Sequence, residues 1–258
     1  MPFVETGSTR IHYQITGDTS LPVLVFAHSL GVSLAMWEPQ TALAQRFRLL
    51  RYDLPGHGAS SVPDAPASAE QLGHDLLALL DALRIEKAAF CGLSLGGTIG
   101  QWLGIHAPER LTKLVLANTA AKIGNHDGWN ARIAQVQRDG LKEIIPGTLE
   151  RWFTNAFRAS HSDTVAKIRS LLEATSIQGY LACCAAVRDA DFRAGVSRIL
   201  APTLVIAGSQ DPVTPPGDCR WLAENIPGAA CIELAAAHLS NVEAGAEFTA
   251  ALLSFLKH

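Results

Sequence analysis

The stretch from Lys87 to Ala107 constrains the fold more than any other part of the chain. An apolar run typical of a buried strand, Lys87 to Cys91, is followed by a run typical of a helix, Thr98 to Ala107. Between them lies Gly92-Leu93-Ser94-Leu95-Gly96, a G-x-S-x-G pattern. At a strand-to-helix junction this pattern puts the serine on a sharp turn, and small flanking residues let the strand and the helix approach closely. We therefore interpret Ser94 as a nucleophile, against the alternative that the glycines only form a tight turn.

The composition is that of an ordinary globular protein and excludes several classes of function. The 258 residues suit one large α/β domain with an insertion, and the formal net charge of −3 argues against a nucleic-acid or anionic-membrane partner. Five cysteines, an odd number without a C-x-x-C pair, indicate reduced thiols rather than disulfides or a zinc site. The first ten residues lack a basic-then-apolar leader, so we expect a cytoplasmic protein.

Strand-like and helix-like runs alternate along most of the chain. A short opening hairpin is expected at Phe3 to Glu5 and Ile11 to Ile15. Further strands are predicted at Pro22 to Ala27, Arg46 to Tyr52, Leu111 to Ala117, Thr203 to Ala207 and Cys231 to Leu234. Helices are predicted at Leu34 to Gln45, Ser68 to Leu83 and Val242 to Leu256. This alternation predicts an α/β fold with a mostly parallel sheet flanked by helices.

The strand-like runs stop between residues 121 and 195, where the pattern predicts only helices. Four are expected, near Gly128 to Arg138, Pro146 to Phe157, Asp163 to Thr175 and Ile177 to Val187. We interpret residues 121–195 as a helical cap inserted into a core made of residues 1–120 and 196–258. The cap holds ten basic and eight acidic residues, which fits either a solvated helical surface or a lid that favours an anionic substrate.

A serine nucleophile needs a base, and the base needs an acceptor that orients it. In a sheet of this architecture the acid and then the histidine follow the serine in the chain, each on a loop after a strand. His238 lies just past the last predicted strand, and Asp211 follows the strand before it. Ser94, Asp211 and His238 are therefore the predicted catalytic triad; Asp218 and Glu224 are nearby alternatives for the acid, but they fall in or beside the next helix.

The oxyanion hole is predicted from two backbone N–H groups. One belongs to Leu95, which follows the serine, and the other to Leu30, in the loop after the strand that ends at Ala27. His57, in the turn-rich segment after Tyr52, is an unlikely base because it precedes Ser94 in the chain. This chemistry calls for no metal and no organic cofactor.

Beyond these patterns, the sequence resembles the 3-oxoadipate enol-lactonases, which are α/β hydrolases, over nearly its whole length. The resemblance is carried by the segments Phe26 to Gly31, Ala89 to Ser94, Leu116 to Gly124, Arg151 to Thr154, Cys183 to Asp189 and Ala236 to Asn241. Two residues depart from the family pattern: Leu54 stands where an arginine is frequent, and Leu95 where a methionine often follows the serine.

This resemblance implies that the chain opens an anionic enol-lactone with water to give 3-oxoadipate, in the β-ketoadipate pathway of aromatic catabolism. The substrate carboxylate then needs a cationic partner in the cap. Arg132 beside Trp129 is our candidate, with Trp152 and Arg188 behind it. A broad carboxylesterase or carbon–carbon bond hydrolase, and a ligand-binding receptor on the same fold, remain the alternatives.

Overall fold

The computed structural model, which describes residues 2–7 and 9–257, is built on one mostly parallel sheet. Its strands are β1 (Phe3–Glu5), β2 (Arg10–Thr16), β3 (Val23–Ala27), β4 (Arg48–Tyr52), β5 (Ala88–Leu93), β6 (Leu111–Ala117), β7 (Thr203–Gly208) and β8 (Ala230–Leu234). The strand order is β1-β2-β4-β3-β5-β6-β7-β8. The pairs β1–β2 and β2–β4 are antiparallel, and the pairs from β4–β3 through to β7–β8 are parallel. Every residue of the central strand β5 is buried, as expected where helices cover both faces.

The helices outside the segment between β6 and β7 are α1 (Ala69–Ala82), α2 (Leu95–His106), α8 (Pro216–Asn225), α9 (Ser240–Glu243) and α10 (Gly245–Leu256). Leu34–Gln45, predicted as a helix, is a 3-10 helix with Pro39 inside it. The predicted closing helix is interrupted at Ala244 and forms the separate helices α9 and α10. No helix in residues 2–7 and 9–257 is both long and apolar enough to cross a membrane.

Between β6 and β7 the chain forms the helices α3 (His126–Asp139), α4 (Ile145–Trp152), α5 (Asn155–Ser160), α6 (Ser162–Ala174) and α7 (Ile177–Asp189). We call this segment the cap. One prediction here is wrong: the helix expected at Pro146 to Phe157 is divided into α4 and α5. The buried Phe153 is extended, and the Thr154 hydroxyl accepts a hydrogen bond from the Phe157 N–H, so Thr154 starts a new helix.

Candidate active site

Ser94 lies on the turn between β5 and α2 with a left-handed backbone, φ 57° and ψ −112°. The two glycines of the pattern are required by close backbone contacts. A Cβ on Gly92 would lie 2.1 Å from the Gly96 carbonyl oxygen, and one on Gly96 would lie 2.1 Å from the Ala27 carbonyl oxygen. The glycines thus let the turn pack against β3 while it holds Ser94 in a conformation that side chains rarely adopt.

Asp211 and His238 follow β7 and β8, so parallel pairing of these strands brings the two residues to the same edge of the sheet. His238 Nδ1 lies 2.8 Å from Asp211 Oδ2, and both side chains are buried. The alternatives Asp218 and Glu224 lie on α8 instead.

The carboxylate of Asp211 is surrounded by donors. Oδ1 accepts from the backbone N–H groups of Val213 and Thr214, and Oδ2 accepts from His238, from Asn118 Nδ2 at 2.9 Å and from the Thr214 hydroxyl at 2.8 Å. Burial alone would raise the pKa of Asp211, but the charge of His238 and these side-chain hydrogen bonds lower it to about 2. Asp211 therefore stays ionised beside the imidazole.

Asn118 is a residue of the site that the sequence reasoning did not identify. It follows β6 with φ 43°, and its Nδ2 donates both to Asp211 and, at 3.2 Å, to the carbonyl of Ala237 next to His238. Its Oδ1 accepts from the Ser240 hydroxyl. The available signal was positional: Asn118 is a polar residue at the carboxyl end of a buried strand, beside the strand that leads to Asp211.

The loop after β3 brings Leu30 to the site, and two buried histidines fix that loop. His57 Nε2 accepts from the Gly31 N–H at 3.0 Å, and His28 Nε2 accepts from the Leu54 N–H at 3.0 Å, so each ring joins this loop to the loop after β4. Burial lowers the pKa of His28, and burial followed by the nearby His28 lowers the pKa of His57 to about 3, so both rings stay neutral. His57 thus acts as a structural link, and His238 is the histidine near Ser94.

The second predicted oxyanion donor, Leu95, is the first residue of α2. Its N–H has no acceptor within the helix, because the first four N–H groups of a helix lack one. Leu95 adjoins Ser94, and Leu30 lines the same cavity as Ser94.

A cavity of about 60 Å³ joins the core residues to the cap. Its lining residues are Ser29, Leu30, Ser94, Trp129, Arg132, Thr148, Arg151, Trp152, Tyr180, Val213 and His238. The structure therefore brings three of the four predicted substrate-binding residues, Trp129, Arg132 and Trp152, to Ser94 and His238. The Trp129 indole is fixed by a 2.7 Å hydrogen bond from Nε1 to the Ile123 carbonyl.

The fourth predicted substrate-binding residue, Arg188, is not part of this lining. Its guanidinium binds both carboxylate oxygens of Asp189, each at 2.7 Å, and its Nη1 donates to Asn130 at 3.1 Å. The lining contains Arg151 instead, for which the sequence had predicted no part in substrate binding.

The described residues contain no group of three or more His, Cys, Asp or Glu side chains arranged to hold a metal ion. Cys91, which lies just before the G-x-S-x-G turn, is buried, and burial raises the pKa of its thiol well above the ordinary value. It therefore behaves as a packing residue.

The fold and the strand-end placement of Ser94, Asp211 and His238 define a known class of protein. Residues 22–244 match the family with the α/β-hydrolase fold, and the chain belongs to that family. The predicted fold class is thereby confirmed, as is the prediction that the chain is an enzyme of the hydrolase class.

Individual relatives show which members of this family the chain resembles. The chain is 44% identical over 248 residues to 3-oxoadipate enol-lactonase 2 of Acinetobacter baylyi, covering 96% of this chain and 93% of that protein. Among solved structures, the enol-lactonase from Burkholderia xenovorans matches with a TM-score of 0.98 and 39% identity over 100% of both chains. A hydrolase from Pseudomonas aeruginosa matches with a TM-score of 0.97 and 45% identity, covering 100% of this chain and 98% of that one. The resemblance to the enol-lactonases is thus confirmed.

Proposed function

We propose that this chain hydrolyses 3-oxoadipate enol-lactone to 3-oxoadipate, as a step of aromatic catabolism by the β-ketoadipate pathway in the cytoplasm. The observation that carries the proposal is one cavity lined by Ser94, by the Asp211-bound His238 and by the cation Arg132, for which the described residues supply no ion-pair partner. The names of the relatives that match over nearly the whole chain support the same substrate. We further propose the division into a core of residues 1–120 and 196–258 and a cap of residues 121–195.

The proposed chemistry begins with attack of Ser94 Oγ on the ring ester carbonyl while His238 takes the hydroxyl proton. Negative charge on the carbonyl oxygen is stabilised by the N–H groups of Leu30 and Leu95. Collapse of this intermediate breaks the ring C–O bond, and the leaving oxygen, protonated by His238, departs as an enol that becomes the ketone. His238 then activates water, which releases the acid and restores Ser94.

Asp211 keeps the imidazole oriented and stabilises the imidazolium that forms in each half-reaction. Because its pKa is lowered to about 2, it holds its negative charge near neutral pH. Arg132 is the proposed partner of the substrate carboxylate, and Trp129 a wall of its pocket.

The test follows the loss of enol-lactone absorbance with the purified protein, beside hydrolysis of the neutral p-nitrophenyl butyrate. We expect a large kcat/KM preference for the lactone, and we expect Ser94→Ala to lower both activities by about 1,000-fold or more. Circular dichroism and thermal unfolding of Ser94→Ala check that its fold is kept.

Ester hydrolysis without a lactone preference would retain the triad and make the chain a broad carboxylesterase. Lactone hydrolysis by Ser94→Ala at the wild-type rate would refute the proposed nucleophile. No activity on either substrate would favour the receptor alternative.

A further inference from the structure

Two arginines stand where the cavity at Ser94 meets the outer surface of the cap. Arg132 on α3 and Arg151 on α4 line the inner cavity of about 60 Å³. Both also line two outer cavities of about 250 and 300 Å³. Both residues therefore border the cavity at Ser94 and the space outside it.

These two residues differ from the other arginines of the cap in forming no ion pair with any acidic residue that the structure describes. Ion pairs with N···O distances of 4.0 Å or less hold the cap arginines Arg138, Arg158, Arg169, Arg188 and Arg193. Within the described residues, no carboxylate lies within that distance of Arg132 or Arg151.

Within the described residues, two acidic residues close to the pair form no ion pair with it, although the charge of Glu150 acts to raise the pKa of Arg151. Glu150, next to Arg151, is joined to Arg158 at 3.9 Å. Glu143 lines one outer cavity but forms no ion pair within the described residues.

Arg151 is held in an environment that disfavours its charge. It is half-buried, and its hydrogen bond is a long one, 3.4 Å from Nη2 to the Thr148 hydroxyl. Burial, and after it the charge of Arg132, lower the pKa of Arg151. An anion placed between the two guanidinium groups would remove both unfavourable contributions, because it offsets the like-charge repulsion and replaces lost hydration.

We propose that Arg132 and Arg151 together form a carboxylate-binding site, and that Arg151 is a specificity-determining residue of this enzyme. The proposal rests on the proposed function for the identity of the substrate, and it assigns the acid arm of the lactone to this pair. Two planar guanidinium forks suit the two oxygens of a carboxylate better than a single ammonium group does.

The site has a consequence that does not depend on the lactone. We expect a linear dicarboxylate such as adipate to bind with one carboxylate at Arg132 and Arg151 and the other near the oxyanion donors of Leu30 and Leu95. Adipate therefore binds as a competitive inhibitor, and it binds more tightly than a monocarboxylate of the same length.

The test compares two p-nitrophenyl esters that share a leaving group: the hemiester of adipic acid, which keeps a free carboxylate, and the neutral butyrate ester. Arg151→Gln and Arg132→Gln are each expected to lower the hemiester-to-butyrate ratio of kcat/KM by about tenfold or more, mainly through KM of the hemiester. Arg138→Gln is the matched control, because Arg138 lies on the same helix as Arg132 and is exposed and paired with Asp139. It should leave the ratio unchanged.

Calorimetric titration of adipate into the Ser94→Ala protein supplies a second readout that needs no turnover. Arg151→Gln in that background is expected to weaken adipate binding by about tenfold, and raised salt should weaken binding to the parent. If Arg151→Gln does not fold, Arg151→Lys, which keeps the charge and loses the fork, should give a smaller decrease in the same direction.

An unchanged ester ratio and unchanged adipate binding in Arg151→Gln would overturn the carboxylate site. That result is distinguishable from failure of the proposed function, because a chain that ignores the lactone can still be tested with adipate and the hemiester.

Discussion

At the scale of the residue, the five hydrogen bonds to Asp211 couple the site to the stability of the fold. Its pKa falls from an ordinary value of 3.8 to about 2 in the folded chain. A carboxyl group with a lowered native pKa stabilises the fold fully above its unfolded pKa and loses that contribution as the pH falls through the native value. Asp211 therefore supports the folded state above about pH 4 and ceases to do so near pH 2.

Removing one donor to Asp211 should weaken both catalysis and resistance to acid. Asn118→Leu deletes the hydrogen bonds to Asp211 Oδ2 and to the Ala237 carbonyl. We expect kcat to fall about tenfold or more with little change in KM, because His238 is then less well oriented. We also expect the acid-unfolding midpoint, followed by circular dichroism, to move to higher pH, because the pKa of Asp211 rises.

Thr214→Val removes a different donor to the same oxygen and should shift the acid-unfolding midpoint in the same direction. Ser170→Ala, at an exposed hydroxyl of α6, is the control. An Asn118→Leu protein with wild-type kcat and the wild-type midpoint would exclude a positioning role for Asn118.

At the scale of the element, Glu243 at the end of α9 connects the cap to the loop that carries His238. One of its carboxylate oxygens accepts from the Ala237 N–H at 2.9 Å, and the other accepts from the Thr154 hydroxyl, at the start of α5. A backbone hydrogen bond of 3.0 Å from the Leu239 N–H to the Trp152 carbonyl reinforces the connection. The position of His238 is thus tied on both sides to the α4–α5 junction.

Glu243→Gln should loosen this connection, because an amide group cannot accept hydrogen bonds at both of its ends. We expect kcat to fall about tenfold to a hundredfold for the hemiester and the butyrate ester alike, since displacement of His238 affects any substrate. This equal loss separates the role of Glu243 from that of Arg151, whose substitution changes the ratio between the two esters. Glu247→Gln, two residues into α10 and exposed, is the control, and a selective loss on one ester would contradict the positioning role.

At the scale of the whole molecule, the strands of the sheet could be predicted from local sequence patterns. The contacts between elements that lie far apart in the chain could not. The strand Leu111–Ala117 is observed with the bounds that the sequence predicts, and its last four residues are apolar and buried, as expected of a strand covered on both faces. The strand-end positions of Ser94, Asp211 and His238 followed from chain order and topology.

The sequence did not reveal which side chains pair with each other, because the pairing is set by the folded arrangement and often joins residues far apart in the chain. Arg151 and Arg188 each have an acidic neighbour in the chain, Glu150 and Asp189. In the fold Arg188 pairs with Asp189, whereas Glu150 pairs with Arg158 rather than with Arg151. Glu243 meets Thr154 across 89 positions, and Asn118 meets Asp211 across 93. Pairings of this kind are set by the packed fold, and no local pattern encodes them.

Where α7 packs onto the core, tertiary packing requires a glycine that helix propensity alone would disfavour. Gly179 in α7 lies against Gly56, in the loop after β4, so closely that a Cβ on Gly179 would be 2.4 Å from the Gly56 Cα. Nearby, the hydroxyl of Thr175, at the end of α6, donates to the Gly31 carbonyl at 3.0 Å, so the junction between α6 and α7 also supports the loop that carries Leu30.

Gly179→Ala therefore sets two effects of opposite sign against each other. Helix propensity favours alanine over glycine by about 1 kcal/mol, whereas overpacking costs about 1–3 kcal/mol. Because the atoms in contact belong to backbone on both sides and cannot rotate away, we expect the clash to dominate and Tm to fall by roughly 2–4 °C for each kcal/mol of net loss. Gly217→Ala in α8, where a Cβ would meet nothing within 4 Å, should instead leave the free energy of unfolding unchanged or raise it. Equal stability of the two variants in urea unfolding would show that α7 can move away from Gly56 without cost, and that the cap is not held to the core at this contact.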